Sequence, residues 1–182
     1  MKNSRVTLNF LDRYDHVPVG YKEITCHLIF DVKMDLTRKA GYAAGGNLTN
    51  PPLSTAYASV ASLDSVRLAF FIAVLNDLDI LSGDIQKSYL NARTKEKVYL
   101  YAGGEWKYYQ EKLVIIVRSL YGLKSSALAW RNHISEIPSN HLGFQSYLAD
   151  PDIWFKPTTD KTGEEYYTYI LVYDDYLFIV DK

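Results

Sequence analysis

The C-terminal stretch YYTYILVYDDYLFIVDK sets two apolar runs on either side of an adjacent pair of carboxylates, Asp174 and Asp175. Runs this short and this rich in Tyr, Ile, Leu and Val suit strands, and the acidic pair falls where the chain must reverse. The pattern is a hairpin with an acidic tip. It commits this end of the chain to a sheet, and its apolar runs require a covering layer.

A third carboxylate, Asp84, stands where another apolar strand, DILSGDI, gives way to a turn. If the two strands are neighbours, their ends bring three carboxylates together. Anions so placed repel one another strongly without cations, so such a cluster argues for metal rather than for stability. Two divalent ions about 3.5–4 Å apart are what phosphoryl transfer by the two-metal route requires, and carboxylate oxygens are their natural ligands. Asp is also common in hairpin turns, where it tolerates the backbone geometry and bonds to nearby amides. On spacing alone that turn reading is the stronger of the two.

Upstream, Tyr21 to Met34 alternates polar and apolar residues as a strand does, and a second short strand follows a turn near Asp35 to Thr37. The stretch from Gly41 to Thr55 is rich in Gly, Asn, Pro and Ser and predicts a loop or lobe boundary. Ser62 to Leu78 predicts a largely buried helix, capped by Ser62 or Asp64 and apolar on nearly all sides. Asp79 to Ser88 reads as a short strand ending in a turn, and Lys97 to Tyr101 and Leu113 to Val117 as further strands. Ser125 to Leu142 has helical spacing, but Pro138 predicts a kink or an early stop. No repeat, heptad or low-complexity tract interrupts the chain.

Composition narrows the class. At 182 residues and 48% hydrophobic content the chain can bury a core, and its net charge of -1 gives no global basic signal for nucleic acid. A single Cys26 excludes an internal disulfide framework and a cysteine zinc site. No apolar run reaches the ~18 residues of a membrane span, and Met1 to Asp15 lacks the charge layout of a secretory signal. The expectation is an intracellular protein, cytoplasmic or nuclear, with no membrane association.

Several motifs, in order, resemble the copia-type retrotransposon reverse transcriptases. DILSGDIQKSYLNARTKEKVYL is similar to the first palm motif, in which an Asp is followed five residues on by an aromatic, here Asp84 and Tyr89. VRSLYGLKSSALAW is similar to the S-L-Y-G-L-K segment, LGFQSYLADPDIWF to the G-F…D-P…F segment, and ILVYDD to the Y-V-D-D hairpin. SVRLAF matches the helix before the first palm motif. The resemblance runs from about Val6 to the last residue, and the ordered set is strongly specific.

The resemblance implies an α+β polymerase fold, an antiparallel palm sheet packed on helices with a mixed fingers lobe, the thumb missing. Fingers would take approximately residues 1–60 and 93–124, palm 61–92 and 125–182. Asp84, Asp174 and Asp175 would ligate two Mg²⁺ ions, Mn²⁺ being a substitute. Tyr89 would sit under the incoming sugar and exclude a 2′-hydroxyl by bulk, while Tyr121 and Gly122 would lie against nucleotide and template base. Lys33 corresponds to a fingers lysine that reaches the triphosphate, and Lys124 would help position substrate or template. The implied partners are deoxynucleoside triphosphates and an RNA or DNA template-primer.

The pattern is also broken. The family's K-A-R-L-V-A segment, whose arginine grips the triphosphate, corresponds to Lys39-Ala40-Gly41-Tyr42-Ala43-Ala44, so glycine stands in place of arginine. LVYDDYLF looks like the family hairpin shortened by one residue, a loss that flips one strand or is absorbed by the turn. Lys87 and Ser88 replace a smaller or uncharged pair, and Arg93 replaces a proline. The later palm, primer grip, thumb and ribonuclease H segments are not in this sequence. The expectation is a truncated or decayed copy with little activity, whose uncovered palm surface favours self-association. The alternative is a non-catalytic remnant that binds nucleic acid or a protein partner.

Overall fold

A computed structural model describes residues 7–11, 15–49 and 57–182. In chain order, strands β1 (Leu8–Phe10), β2 (Lys22–Glu23), β3 (Cys26–Val32) and β4 (Arg38–Ala44) precede helix α1 (Leu63–Leu75). Strand β5 (Asp79–Asp84) and the one-turn helix α2 (Ser88–Asn91) follow, then β6 (Val98–Tyr101) and β7 (Leu113–Ile116). Helix α3 (Ser126–Glu136) leads through a π-helical turn to β8 (Gln145–Ser146), β9 (Ile153–Thr159), β10 (Glu165–Tyr173) and β11 (Tyr176–Asp181). The class is α+β. Among the described residues no helix is long and apolar enough to cross a membrane.

The chain forms two compact units, Met1–Tyr57 with Tyr89–Trp130, and Ala58–Ser88 with Arg131–Lys182. The first holds a four-stranded sheet in the order β1-β7-β6-β2 and the two-stranded hairpin β3-β4. Val98, Leu100, Val114 and Ile116 make its core with Ile24, Leu120 and Leu123. Alternation along β6 sends Val98 and Leu100 inward and leaves Tyr101 exposed, as a half-buried strand requires. The predicted hairpin is present, and its second strand runs through Ala44, so residues 41–44 are strand rather than loop. The reason is β3, which pairs every residue from Cys26↔Ala44 to Val32↔Arg38. Of the predicted loop, residues 50–55 lie outside the described residues. Lys33 falls one residue beyond β3, in the turn.

The second unit is a five-stranded antiparallel sheet in the order β5-β11-β10-β9-β8. Its centre is β10, whose Ile170, Leu171 and Val172 are all buried because neighbours flank it on both edges. Helix α1 packs on this sheet through Val66, Ala69 and Ala73, against Leu171 and Val180.

Ser62 caps α1, its hydroxyl accepting from the Ser65 N–H at 3.1 Å, and Asp150 Oδ2 accepts from the Ser62 N–H at 2.9 Å. The helix stops at a Schellman motif: Asp77 takes a left-handed φ of 52° and the Leu78 N–H donates to the Ala73 carbonyl at 2.9 Å. The expectation that α1 is largely buried is corrected. Only one face meets the sheet, and Leu68, Phe71, Val74 and Leu75 are more than half exposed.

Candidate active site

The acid-bearing end of the second unit is built by strand register. Tyr173 pairs with Tyr176, so Asp174 and Asp175 form the whole of a two-residue turn between β10 and β11. Asp174 adopts a left-handed φ of 57°, which Asp tolerates better than most residues. The hairpin keeps continuous pairing from Tyr169↔Val180 to this closing pair.

Strand β5 then pairs with β11 up to Tyr176↔Asp84, and the Ile85 N–H donates to the Asp175 carbonyl at 2.8 Å. All three carboxylates therefore sit at one end of one sheet. Burial first, and then the charge of Asp175, raise the Asp174 carboxyl above the usual aspartate range. The like charges of Asp174 and Asp175 crowd at the turn. Even so, no group of three or more His, Cys, Asp and Glu is gathered as a metal cage among the described residues.

The remaining residues singled out by sequence, Tyr89, Tyr121, Gly122, Lys124 and Lys33, belong to the first unit. The Tyr89 and Tyr121 rings stack at 4.7 Å between centroids, inclined by 44°, and Tyr121 is 60% exposed. Its flanking leucines, Leu120 and Leu123, are core residues.

The glycine is required here, and the reason is the chain's own backbone. The Ala44 N–H donates to the Tyr121 carbonyl at 2.7 Å. Gly122 has φ +93°, and a Cβ on it would collide with the Ala44 carbonyl oxygen. A Cβ on Gly46 would collide in turn with the Gly122 carbonyl. Lys124 Nζ donates to the Thr49 carbonyl at 2.7 Å, tying the same segment to the chain beyond β4. Sequence reading passed over Gly46 and Thr49, although the Gly45-Gly46 pair signals close backbone approach.

Each unit also holds a carboxylate in fixed hydrogen bonds. Glu96 Oε1 accepts from the Ser125 N–H at 2.8 Å and the Ser125 hydroxyl at 2.7 Å, just before α3 begins. In the second unit, Arg131 Nε donates to the buried Asp152 Oδ1 at 3.0 Å. Burial alone would raise the Asp150 carboxyl, but hydrogen bonds from Ser65, Ser62 and Asp152 outweigh it and lower it.

A family model described as "Reverse transcriptase (RNA-dependent DNA polymerase)" matches residues 13–182. Among curated proteins, the chain is 28% identical over 135 residues to the Transposon Ty1-BL Gag-Pol polyprotein of Saccharomyces cerevisiae (strain ATCC 204508 / S288c). It is similar to the same extent to the Transposon Ty1-DR4 Gag-Pol polyprotein of that yeast. Each match covers 72% of this chain and 8% of the relative's length. No solved structure matches.

Proposed function

The chain belongs to the reverse transcriptase (RNA-dependent DNA polymerase) family, and on that premise we propose that it is the fingers and palm portion of a copia-type retrotransposon polymerase. The first unit is read as fingers and the second as palm. The observation that carries the reading is the register Tyr176↔Asp84 beside the Asp174-Asp175 turn, which sets three carboxylates at one sheet end.

The donor set fits a hard divalent cation: oxygen ligands only, of one charge, with Asp174 destabilised as an anion until a cation arrives. Asp84, Asp174 and Asp175 would hold two Mg²⁺ ions. When bound, these supply activation of the primer 3′-hydroxyl and neutralisation of the leaving pyrophosphate. Tyr89 restricts the space beside the sugar by bulk, with Tyr121 as its stacking partner. Gly122 presents backbone rather than side chain, and Lys124 holds that segment through its anchor on Thr49. Lys33 meets phosphate at the hairpin tip.

Activity is expected to be weak. Gly41 lacks the forked donor geometry that an arginine offers phosphate. Primer extension on a homopolymeric template, with Mg²⁺ and then Mn²⁺, tests the reading. Asp84→Asn should lower extension by at least about a hundredfold. Equal extension by the native chain and Asp84→Asn would sink the assignment. Template binding with no Mg²⁺-dependent affinity for nucleotide would favour the non-catalytic remnant.

A further inference from the structure

Tyr89 stands on α2, a helix of only 4 residues. A single turn fixes several backbone angles for one hydrogen bond, so it does not hold itself in water. The place of Tyr89 is therefore imposed from outside, and the segment from Arg118 to Tyr121 imposes it at three points of the first unit. The Arg118 guanidinium donates from Nη1 to the Asn91 carbonyl at 2.6 Å. The Ser119 N–H donates to the Ala92 carbonyl at 3.0 Å, and the Tyr121 ring lies 4.7 Å from that of Tyr89.

These holds differ in kind. The Ser119 bond joins backbone to backbone between two buried residues, so it persists through side-chain changes at position 118. By itself it is a pivot at the end of the turn. The Arg118 bond falls one residue earlier, on a helix-end carbonyl that has no partner within the helix, and fixes the rotation about that pivot. It comes from a cation, which makes it stronger than a neutral bond of the same length. The ring of Tyr89, two residues from Asn91, is carried by whatever orientation the two bonds set.

We propose that Arg118 is a positioning residue for sugar discrimination. By holding the end of α2 it sets the Tyr89 ring against Tyr121, and with it the space left beside the sugar, without touching the nucleotide. The inference rests on the reading of Tyr89 as the residue that restricts this space.

The test measures, with Mg²⁺ present, affinity for a deoxynucleoside triphosphate and for the matching ribonucleoside triphosphate. The proteins are the native chain, Arg118→Met, Arg118→Lys, Tyr89→Ala, and Tyr89→Ala combined with Arg118→Met. Arg118→Met should lower the preference for the deoxy form about tenfold, the scale of one charge-assisted hydrogen bond. It should also speed exchange of the Ala92 amide hydrogen, which closes α2 on the Tyr89 carbonyl at 3.0 Å, with the Ser119 amide as internal reference. Where Arg118→Met does not fold, Arg118→Lys decides, with an expected loss of about threefold because an ammonium lacks the planar fork of a guanidinium. Tyr89→Ala should abolish the preference, and Arg118→Met should then add nothing, since the one residue acts through the other.

Equal weakening of both nucleotides with the preference intact would give Arg118 a purely structural role and overturn the proposal. So would unchanged exchange at Ala92, or an effect of Arg118→Met on the preference once Tyr89 is gone. A preference that needs Tyr89 and ignores Arg118 defeats this inference alone. A native chain without the preference, or a preference indifferent to Tyr89→Ala, defeats the reading of Tyr89 and the inference with it.

Discussion

The Tyr121-Gly122 crossing and the Asp174-Asp175 turn carry the two strongest family motifs, and they are held by opposite means. At the crossing, backbone lies on backbone: the Gly122 carbonyl occupies the place where a Gly46 side chain would stand, and the Ala44 carbonyl the place of a Gly122 side chain. At the turn, two exposed or half-exposed residues cap a ladder whose strands are fixed by pairing further along. The first site has shape without freedom, and the second has side-chain freedom on a fixed frame. Change at the crossing should therefore be felt in folding, and change at the turn in chemistry.

The largest expected effect is at the crossing. Gly122→Ala adds a methyl into the Ala44 carbonyl and strains a φ of +93°, so urea unfolding should show a loss of about 4 kcal/mol or an insoluble product. A stable Gly122→Ala protein would remove the contrast.

Next comes Arg131→Met, which strands the buried Asp152 carboxylate. A loss of about 3 kcal/mol is expected in the same experiment, showing that the turn's own unit also has an intolerant point. A change below about 1 kcal/mol would mean that Asp152 is neutralised by other means.

Ser62→Ala removes the side-chain cap of α1 and should cost about 1 kcal/mol. The Asp150 bond to the Ser62 backbone remains, so a larger loss would point to a shift of the helix as a whole.

The smallest effect is at the tip. A carboxyl raised in the folded state binds its proton more tightly folded than unfolded, so the charge of Asp174 is a cost above its folded pKa that lifts as pH falls through it. Asp174→Asn should raise stability at neutral pH by no more than about 0.5 kcal/mol after solvent screening, the gain vanishing in acid. A gain that persists in acid would assign it to the turn conformation rather than to charge.

Much of this was legible in the sequence where period and punctuation agree. β10 and β11 are apolar runs around an acidic turn, and the Ser62 cap announces α1. The helix's burial was misread because its apolar residues face every side while the sheet offers only one. β9 escaped notice because Lys156 and Pro157 sit inside it. The proline is tolerated since β8 pairs β9 only at Trp154 and Phe155, which leaves the outer side of β9 unpaired at that point. The site acids were legible as residues and their placement was not, because register is decided by pairing across the chain. Gly122 was legible as a close approach, but what it approaches is Ala44, which only the fold discloses.

The close approaches at Gly46 and Gly122 carry a consequence for how this segment's sequence is read. Exposed acids and lysines can be exchanged one at a time, whereas a side chain at Gly46 meets the Gly122 carbonyl and one at Gly122 meets the Ala44 carbonyl. The motif around Gly122 is then a record of which copies still yield a folded polypeptide. Its presence certifies the shape of the product rather than its use.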